Sequence, residues 1–149
     1  MMSGENTSGF FETERTAMKE RAAELKKEAG RGGRGDKAAR EERDLLAKIE
    51  AMEPADRALA ERVHALVTAT APDLKPKLWY GQPAYARKDK VVCFFRSGHD
   101  DKERYSTFGF TPEAGLDDHG GLWATSFAVR ELSEEAEKTI VSLLERAVA

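Results

Sequence analysis

Residues 91–95 read VVCFF, and this stretch decides the fold. Its β-branched and aromatic side chains are typical of a buried strand. Two further strand-like stretches follow at 105–110 and 123–130, and in the first of them apolar and small or polar residues alternate. A short extended piece at 84–86 precedes them, across a charged turn at 87–90. Because the connections are short and polar, we expect the strands to pair in an antiparallel sheet.

Helical patterns lie on both sides of this sheet in the sequence. Segments 13–29, 38–52 and 54–70 carry apolar residues at helical spacing, and the first of these stripes is thin. Segment 132–149 has a clean apolar stripe after a capping serine. The sequence therefore predicts an α+β fold, a two-layer sandwich of a small antiparallel sheet with N- and C-terminal helices packed on it, plus extra N-terminal helices.

The chain of 149 residues is predicted to have three parts. These are a disordered tail at 1–12, a helical extension at 13–51 and an α/β domain at 52–149. Residues 30–35 read GRGGRG, which matches the dinucleotide-binding fingerprint letter for letter. That fingerprint needs a preceding strand, whereas a charged helical segment precedes these glycines, so a flexible linker is favoured. Whether the N-terminal helices dock on the domain stays open.

Composition limits the partners and the compartment. The formal net charge of −3 gives no general electrostatic reason to expect nucleic acid or a membrane as a partner. No stretch approaches the roughly 18–20 apolar residues needed to cross a bilayer, and the N-terminus does not have the pattern of a signal peptide. The single cysteine, Cys93, excludes an internal disulfide. We therefore expect a cytoplasmic protein.

Residues 78–85, which read LWYGQPAY, are the most distinctive segment of the chain. A helix leads into the pattern Trp-x-Gly-x-Pro-x-Tyr. An apolar strand ending in Arg96, an aromatic strand and a C-terminal helix follow it. In this order, residues 52–149 resemble the YdhG-like domain family of bacterial proteins, whose biochemical function is largely unassigned.

The resemblance implies a helix–sheet sandwich. Because some members of the family are described as frataxin-like, it also implies binding of iron and its delivery to iron–sulfur assembly proteins. The chain departs from the pattern at Gln82, where many relatives carry methionine, and it has no long acidic run. The family's ligands are therefore not carried over residue by residue.

The same segment is a candidate wall for a ligand pocket. Two aromatic residues, a glycine and a proline favour a rigid concave turn. The alternative is that the aromatic residues only pack on the sheet while Gly81 supplies a special backbone angle. The candidate ligand-binding residues are Trp79, Tyr80, Gln82, Tyr85 and Arg96.

Two acidic loops are candidate metal sites, because histidine combined with carboxylates suits Fe²⁺. If the loops met, they would form one site. Ordinary solvated loops are the alternative, since adjacent loop residues point in different directions. The candidate metal ligands are His99, Asp100, Asp101, Asp117, Asp118 and His119.

These observations predict a binding protein rather than an enzyme, since no spacing suggests a catalytic triad. The first hypothesis is frataxin-like iron binding and delivery. The alternative is a small-ligand or protein-interaction module that uses a basic sheet face and segment 79–85. His64 is expected at the edge of an apolar stripe, and Cys93 is expected to be buried and inert. The basic residues of that face are Arg87, Lys88, Lys90, Arg96, Lys102 and Arg104.

Overall fold

The computed structural model describes residues 35–149. The predicted tail at 1–12, the predicted helix at 13–29 and most of the predicted linker at 30–35 lie outside these residues. Within residues 35–149, no helix is both long and apolar enough to cross a membrane. In chain order the elements are α1 (Gly35–Glu50), α2 (Pro54–Thr70), β1 (Lys75–Trp79), β2 (Gln82–Arg87), β3 (Lys90–Arg96), β4 (Ser106–Phe110), β5 (Ser126–Val129) and α3 (Glu134–Ala147).

The five strands form one sheet in the order β1-β2-β3-β4-β5, and every neighbouring pair is antiparallel. Two-residue turns join the first three strands. Tyr80 and Gly81 have φ of 53° and 73°, and Lys88 and Asp89 have φ of 53° and 66°. Positive φ at both central residues is the type I′ geometry, whose twist matches that of the flanking strands. The special backbone angle expected at Gly81 is confirmed.

The predicted α+β class is confirmed, while the bounds of several elements differ. Strand β1 was not predicted, because Pro76 lies inside it and proline disfavours a strand interior. As an edge strand, β1 tolerates the missing N–H group. The extended piece predicted at 84–86 is the middle of the longer β2, and the strand predicted at 123–130 is limited to Ser126–Val129.

The hydrophobic core lies between the helices and one face of the sheet. From α1, Leu45 and Ile49 join this core, so the helix preceding residue 52 packs on the same sheet as α2 and α3. Burying large apolar side chains of this kind stabilises the fold by roughly 1.5–3 kcal/mol each. The largest apolar and aromatic side chains that are fully buried are Tyr85, Phe95, Phe108, Leu45, Ile49, Leu116 and Leu144.

His64 lies inside this core, not at its edge as expected. Its Nδ1 atom is 2.9 Å from the hydroxyl oxygen of Tyr85, which is itself fully buried. Burial lowers the pKa of His64 from 6.5 to about 4. The neutral imidazole and the Tyr85 hydroxyl therefore share one hydrogen bond, whose direction depends on which ring nitrogen carries the proton. This hydrogen bond offsets part of the free-energy cost of burying the polar imidazole in an apolar core.

The buried imidazole predicts acid sensitivity. As the pH falls below 6.5, His64 becomes protonated in the unfolded chain, whereas in the folded chain its pKa of about 4 keeps it neutral until the pH approaches that value. Stability is therefore full above the first value and is lost as the pH falls toward the second. We expect this group to remove about 3 kcal/mol of unfolding free energy between pH 7 and pH 4. Urea unfolding across this range, compared with His64→Gln, measures the loss. If the free energy of unfolding fell equally steeply with decreasing pH in the parent protein and in His64→Gln, the prediction would be contradicted.

Candidate ligand-binding site on the open sheet face

The sheet face opposite the helices carries a cavity of about 500 Å³. Side chains from all five strands, from the β1–β2 turn and from the β3–β4 loop surround it. No helix of residues 35–149 lines it. We call it the open-face cavity, and its position follows from strand alternation, since every second residue of a strand points away from the core.

Aromatic side chains form one wall of the open-face cavity. The ring centroids of Trp79 and Phe94 are 5.3 Å apart, and those of Trp79 and Tyr80 are 4.9 Å apart in an edge-on arrangement. The Phe94 ring lies directly over Gly109, where an added Cβ would be 2.5 Å from the ring. Glycine at this position therefore allows the ring to lie close against the sheet.

Small side chains form the floor on the other side of the cavity. In the strand register Gly109 pairs with both Phe94 and Ser126, and Thr107 pairs with Ala128. Both of the β5 residues are exposed. The aromatic wall on β1 and β3 thus stands beside a low shelf on β4 and β5, which gives a shallow depression suited to a flat molecule.

Two polar atoms of the cavity have unused hydrogen-bonding capacity. Within residues 35–149, the buried Oε1 of Gln82 and the buried Nε of Arg96 have no hydrogen-bond partner. The guanidinium does contact a carboxylate, since Nε lies 3.4 Å from Oδ2 of Asp101, but this contact is an ion pair without hydrogen-bond geometry. Its Nη2 lies 3.5 Å from Oγ1 of Thr107, a long hydrogen bond. Buried polar atoms are normally paired, so Gln82 and Arg96 are the candidate polar contacts for a ligand in this cavity.

The buried carboxylate of Asp56, in the first turn of α2, holds the β3–β4 loop in place. Its Oδ2 accepts hydrogen bonds from the Ser97 hydroxyl at 2.5 Å and from the His99 backbone N–H at 3.0 Å. Its Oδ1 accepts from the Ser106 hydroxyl at 3.2 Å, and the Ser106 oxygen accepts from the Gly98 N–H at 2.9 Å. One carboxylate therefore fixes both ends of the loop.

This loop brings two further residues to the cavity. Asp101 supplies the carboxylate beside Arg96, and Tyr105 lines the cavity directly. The Arg104 guanidinium lies 5.1 Å from the centroid of the Tyr105 ring, a cation–π contact that orients the ring. The helix side of the sheet thus supports the open face through the loop.

The structure brings together four of the five predicted ligand-binding residues. Trp79, Tyr80, Gln82 and Arg96 all line the open-face cavity. Tyr85 does not line it, because this side chain is an odd number of residues from Gln82 along β2 and faces the core. The prediction that Tyr85 belongs to the same wall is therefore corrected.

Sequence reasoning missed the other lining residues: Phe94, Tyr105, Thr107, Ser126 and Ala128. A usable signal existed, because side chains two positions apart in a strand share a face. Applied to the predicted strands, this rule places Phe94 beside Arg96, and Thr107 beside Gly109.

The two acidic loops lie at opposite ends of the sheet. Residues 99–101 follow β3, whereas residues 117–119 follow β4, which runs in the opposite direction. The idea that the loops meet is therefore wrong. Within residues 35–149, no group of three or more His, Cys, Asp or Glu side chains is placed to hold a metal ion. Asp100 and Asp101 instead lie 3.6 Å from Lys48 and 3.4 Å from Arg96, and Asp117, Asp118 and His119 are exposed like His99.

The basic residues expected on a sheet face are dispersed. Of the six, Arg96 lines the open-face cavity, while Arg87 donates a hydrogen bond to the carbonyl of Val148 at the end of α3. Lys88 and Lys90 lie at the hairpin turn between β2 and β3. Among the described residues, the open-face cavity is therefore lined by one guanidinium rather than by a basic surface.

The burial expected for Cys93 is confirmed. This thiol is fully buried in the core, and burial raises its pKa. A thiolate is the reactive form of cysteine, so the raised pKa keeps this side chain inert.

Comparison with known proteins adds no relative: no family model, curated protein or solved structure gives a significant match to the chain. The resemblance to the YdhG-like family stays a prediction that rests on segment 78–85 and on the order of the elements.

Proposed function

We propose that this protein is a non-enzymatic binding protein and that its ligand occupies the open-face cavity. One observation carries the proposal: Gln82 and Arg96 line the same aromatic-walled cavity, and each has a buried side-chain atom, Oε1 and Nε, without a hydrogen-bond partner within residues 35–149. An unpaired buried polar atom costs roughly 1–3 kcal/mol. A ligand that pairs with both atoms recovers part of that free energy on binding.

The shape of the cavity supports a small organic ligand. A volume of about 500 Å³ lies within the usual range of small-molecule sites. The Trp79 and Phe94 rings offer apolar contact along one side, and the low shelf leaves room for a flat body beside them. Aromatic walls with a few polar groups are the usual composition of such sites.

The iron-delivery role and the iron–sulfur assembly partners remain predictions from the family resemblance. The described residues 35–149 contain no three-ligand group that supports them. The open-face cavity instead favours the alternative of a small-ligand module, with Trp79, Tyr80, Gln82 and Arg96 in its lining.

Tryptophan fluorescence tests the proposal, because the chain has only two tryptophans. Trp79 lines the cavity, whereas Trp123 lies in the β4–β5 loop and does not. The Trp123→Phe variant therefore isolates a reporter in the cavity. We expect at least one member of a panel of single-ring aromatic acids, amides and alcohols to change its fluorescence saturably.

The matched control is Trp79→Phe, in which Trp123 is the remaining reporter. The proposal requires that the same compounds leave the fluorescence of this control unchanged. A panel that gives no saturable change in either variant would contradict it, as would equal changes in both.

A further inference from the structure

We infer that the ligand is a small aromatic carboxylate with a hydrogen-bond donor beside the carboxylate group, such as an aromatic 2-hydroxy acid. The Arg96 guanidinium binds the carboxylate, Gln82 accepts the neighbouring hydrogen bond, and the ring lies on the shelf formed by β4 and β5. This inference rests on the proposed function and names the chemical class of its ligand.

The guanidinium of Arg96 is available for a carboxylate. Its Nε makes no hydrogen bond within residues 35–149, and the bond from its Nη2 to Thr107 is long at 3.5 Å. A guanidinium presents a planar fork of N–H donors that matches the two oxygens of a carboxylate. The cavity therefore contains an anion-binding group whose strongest contacts are not yet made.

Asp101 acts as a counter-ion that a ligand displaces. Its carboxylate is 45% exposed, and its distance of 3.4 Å from the Arg96 Nε exceeds the roughly 2.7–2.9 Å of a charge-assisted hydrogen bond. A ligand carboxylate inside the cavity binds the same guanidinium through shorter bonds. Asp101 then turns to solvent, where its hydration compensates for the lost ion pair.

The charge of the cavity favours a carboxylate over a phosphate. Arg96 is the only Lys or Arg side chain of residues 35–149 that lines the open-face cavity. One guanidinium balances a single negative charge, whereas a phosphate group carries close to two at neutral pH. Thr107, Ser126 and Ala128, the small lining residues of the shelf, leave space for the ring of the ligand beside Phe94.

Gln82 places the hydrogen-bond donor next to the carboxylate. Ala84 pairs with Phe94 across β2 and β3. Because β2 and β3 are antiparallel, Gln82 (two residues before Ala84) is opposite Arg96 (two residues after Phe94). Their side chains therefore lie side by side on the same face of the sheet. A hydroxyl on the carbon adjacent to the carboxylate is therefore placed beside Gln82, whose buried Oε1 has no partner in the described residues.

Isothermal titration calorimetry on the full chain tests this inference with three matched probes. Phenyllactate carries the carboxylate and the hydroxyl, phenyllactamide lacks the charge, and phenylpropionate lacks the hydroxyl. We expect phenyllactate to bind at least about tenfold more tightly than phenyllactamide, because hydrogen bonds to charged groups are the stronger ones. Phenylpropionate should bind about five- to tenfold more weakly than phenyllactate.

Variants assign the preference to the named residues. Arg96→Gln should reduce the preference for phenyllactate over phenyllactamide to about one, while Arg96→Lys should retain part of it because the charge remains. Asp101→Asn should tighten phenyllactate binding about threefold and leave phenyllactamide unchanged, since the competing carboxylate is removed. Asp101 is half exposed, so this variant is expected to fold normally.

Equal affinity for the acid and the amide would overturn the inference, as would an unchanged acid preference in Arg96→Gln. Either result leaves the proposed function standing if the Trp79 reporter still responds to other compounds of the panel. Failure of all three probes together with a silent panel would remove the proposed function as well.

Discussion

Replacing Asp56 with alanine is expected to lower the free energy of unfolding by about 4 kcal/mol. The carboxylate is only 9% exposed and accepts hydrogen bonds from the Ser97 hydroxyl, the Ser106 hydroxyl and the His99 backbone N–H. Alanine leaves these three donors facing a space without an acceptor. Hydrogen bonds to a charged group contribute roughly 1.5–3 kcal/mol each, and partial entry of water reduces the sum.

The position of Asp56 in the first turn of α2 adds a smaller contribution. A negative charge near a helix N-terminus stabilises the helix by roughly 0.3–1 kcal/mol, because the helix dipole places partial positive charge at that end. The variant loses this interaction together with the loop. We therefore expect the largest effect among substitutions of single polar residues to occur here.

Urea unfolding of Asp56→Ala, Asp56→Asn and a control measures the effect. The amide of Asn keeps one acceptor oxygen, so Asp56→Asn should lose about half as much. Asp44→Ala changes an exposed aspartate in α1 and should alter stability by less than about 0.5 kcal/mol. A loss below about 1 kcal/mol in Asp56→Ala would show that the loop does not depend on this carboxylate.

The second large effect is expected for Gly98→Ala, with a loss of about 3 kcal/mol in the free energy of unfolding. A Cβ at this position would lie 2.3 Å from the carbonyl oxygen of Tyr105 and 2.9 Å from the backbone nitrogen of Ser106. Both atoms belong to the backbone, so no side-chain rotation relieves the collision. The loop must shift, and the hydrogen bond from Gly98 N–H to the Ser106 hydroxyl weakens with it.

Gly115→Ala is the matched control for this substitution. The nearest atoms to a Cβ there are 3.8 Å away, which is ordinary contact, so the change should be neutral or stabilise by up to about 1 kcal/mol. Thermal unfolding of the two variants and the parent protein gives the comparison. Equal midpoints for Gly98→Ala and Gly115→Ala would contradict the close packing of the loop.

Residue patterns indicated the layers of this fold but not all of its strands. The VVCFF stretch and the apolar stripes predicted a sheet with flanking helices, since both patterns reflect burial along one chain segment. Strand β1 was not predicted, because its composition, with Pro76 between two lysines, is unlike that of an ordinary strand. Its stability comes from pairing with β2, a contact that local composition does not report.

The candidate site was predicted in part for the same reason. The motif and the strand end predicted three residues of the cavity correctly, namely Trp79, Gln82 and Arg96. Tyr85 was assigned to the wrong face, because strand alternation directs its side chain into the core, where its hydroxyl contacts His64. The support from Asp56 was not predictable, since it joins groups 41 to 50 residues apart in the chain. Long-range hydrogen bonds of this kind have no signature in local sequence.

The central claim is that the open sheet face, rather than an acidic loop or the helical side, binds the ligand. The most direct test is a titration of the isotope-labelled full chain with phenyllactate, followed through its amide resonances by NMR. We expect saturable shifts centred on Arg96, Thr107, Ser126 and Ala128, which share the open-face cavity. Shifts centred on residues 117–119 or on the helices would contradict the claim, as would the absence of a saturable shift both with phenyllactate and with every compound of the fluorescence panel.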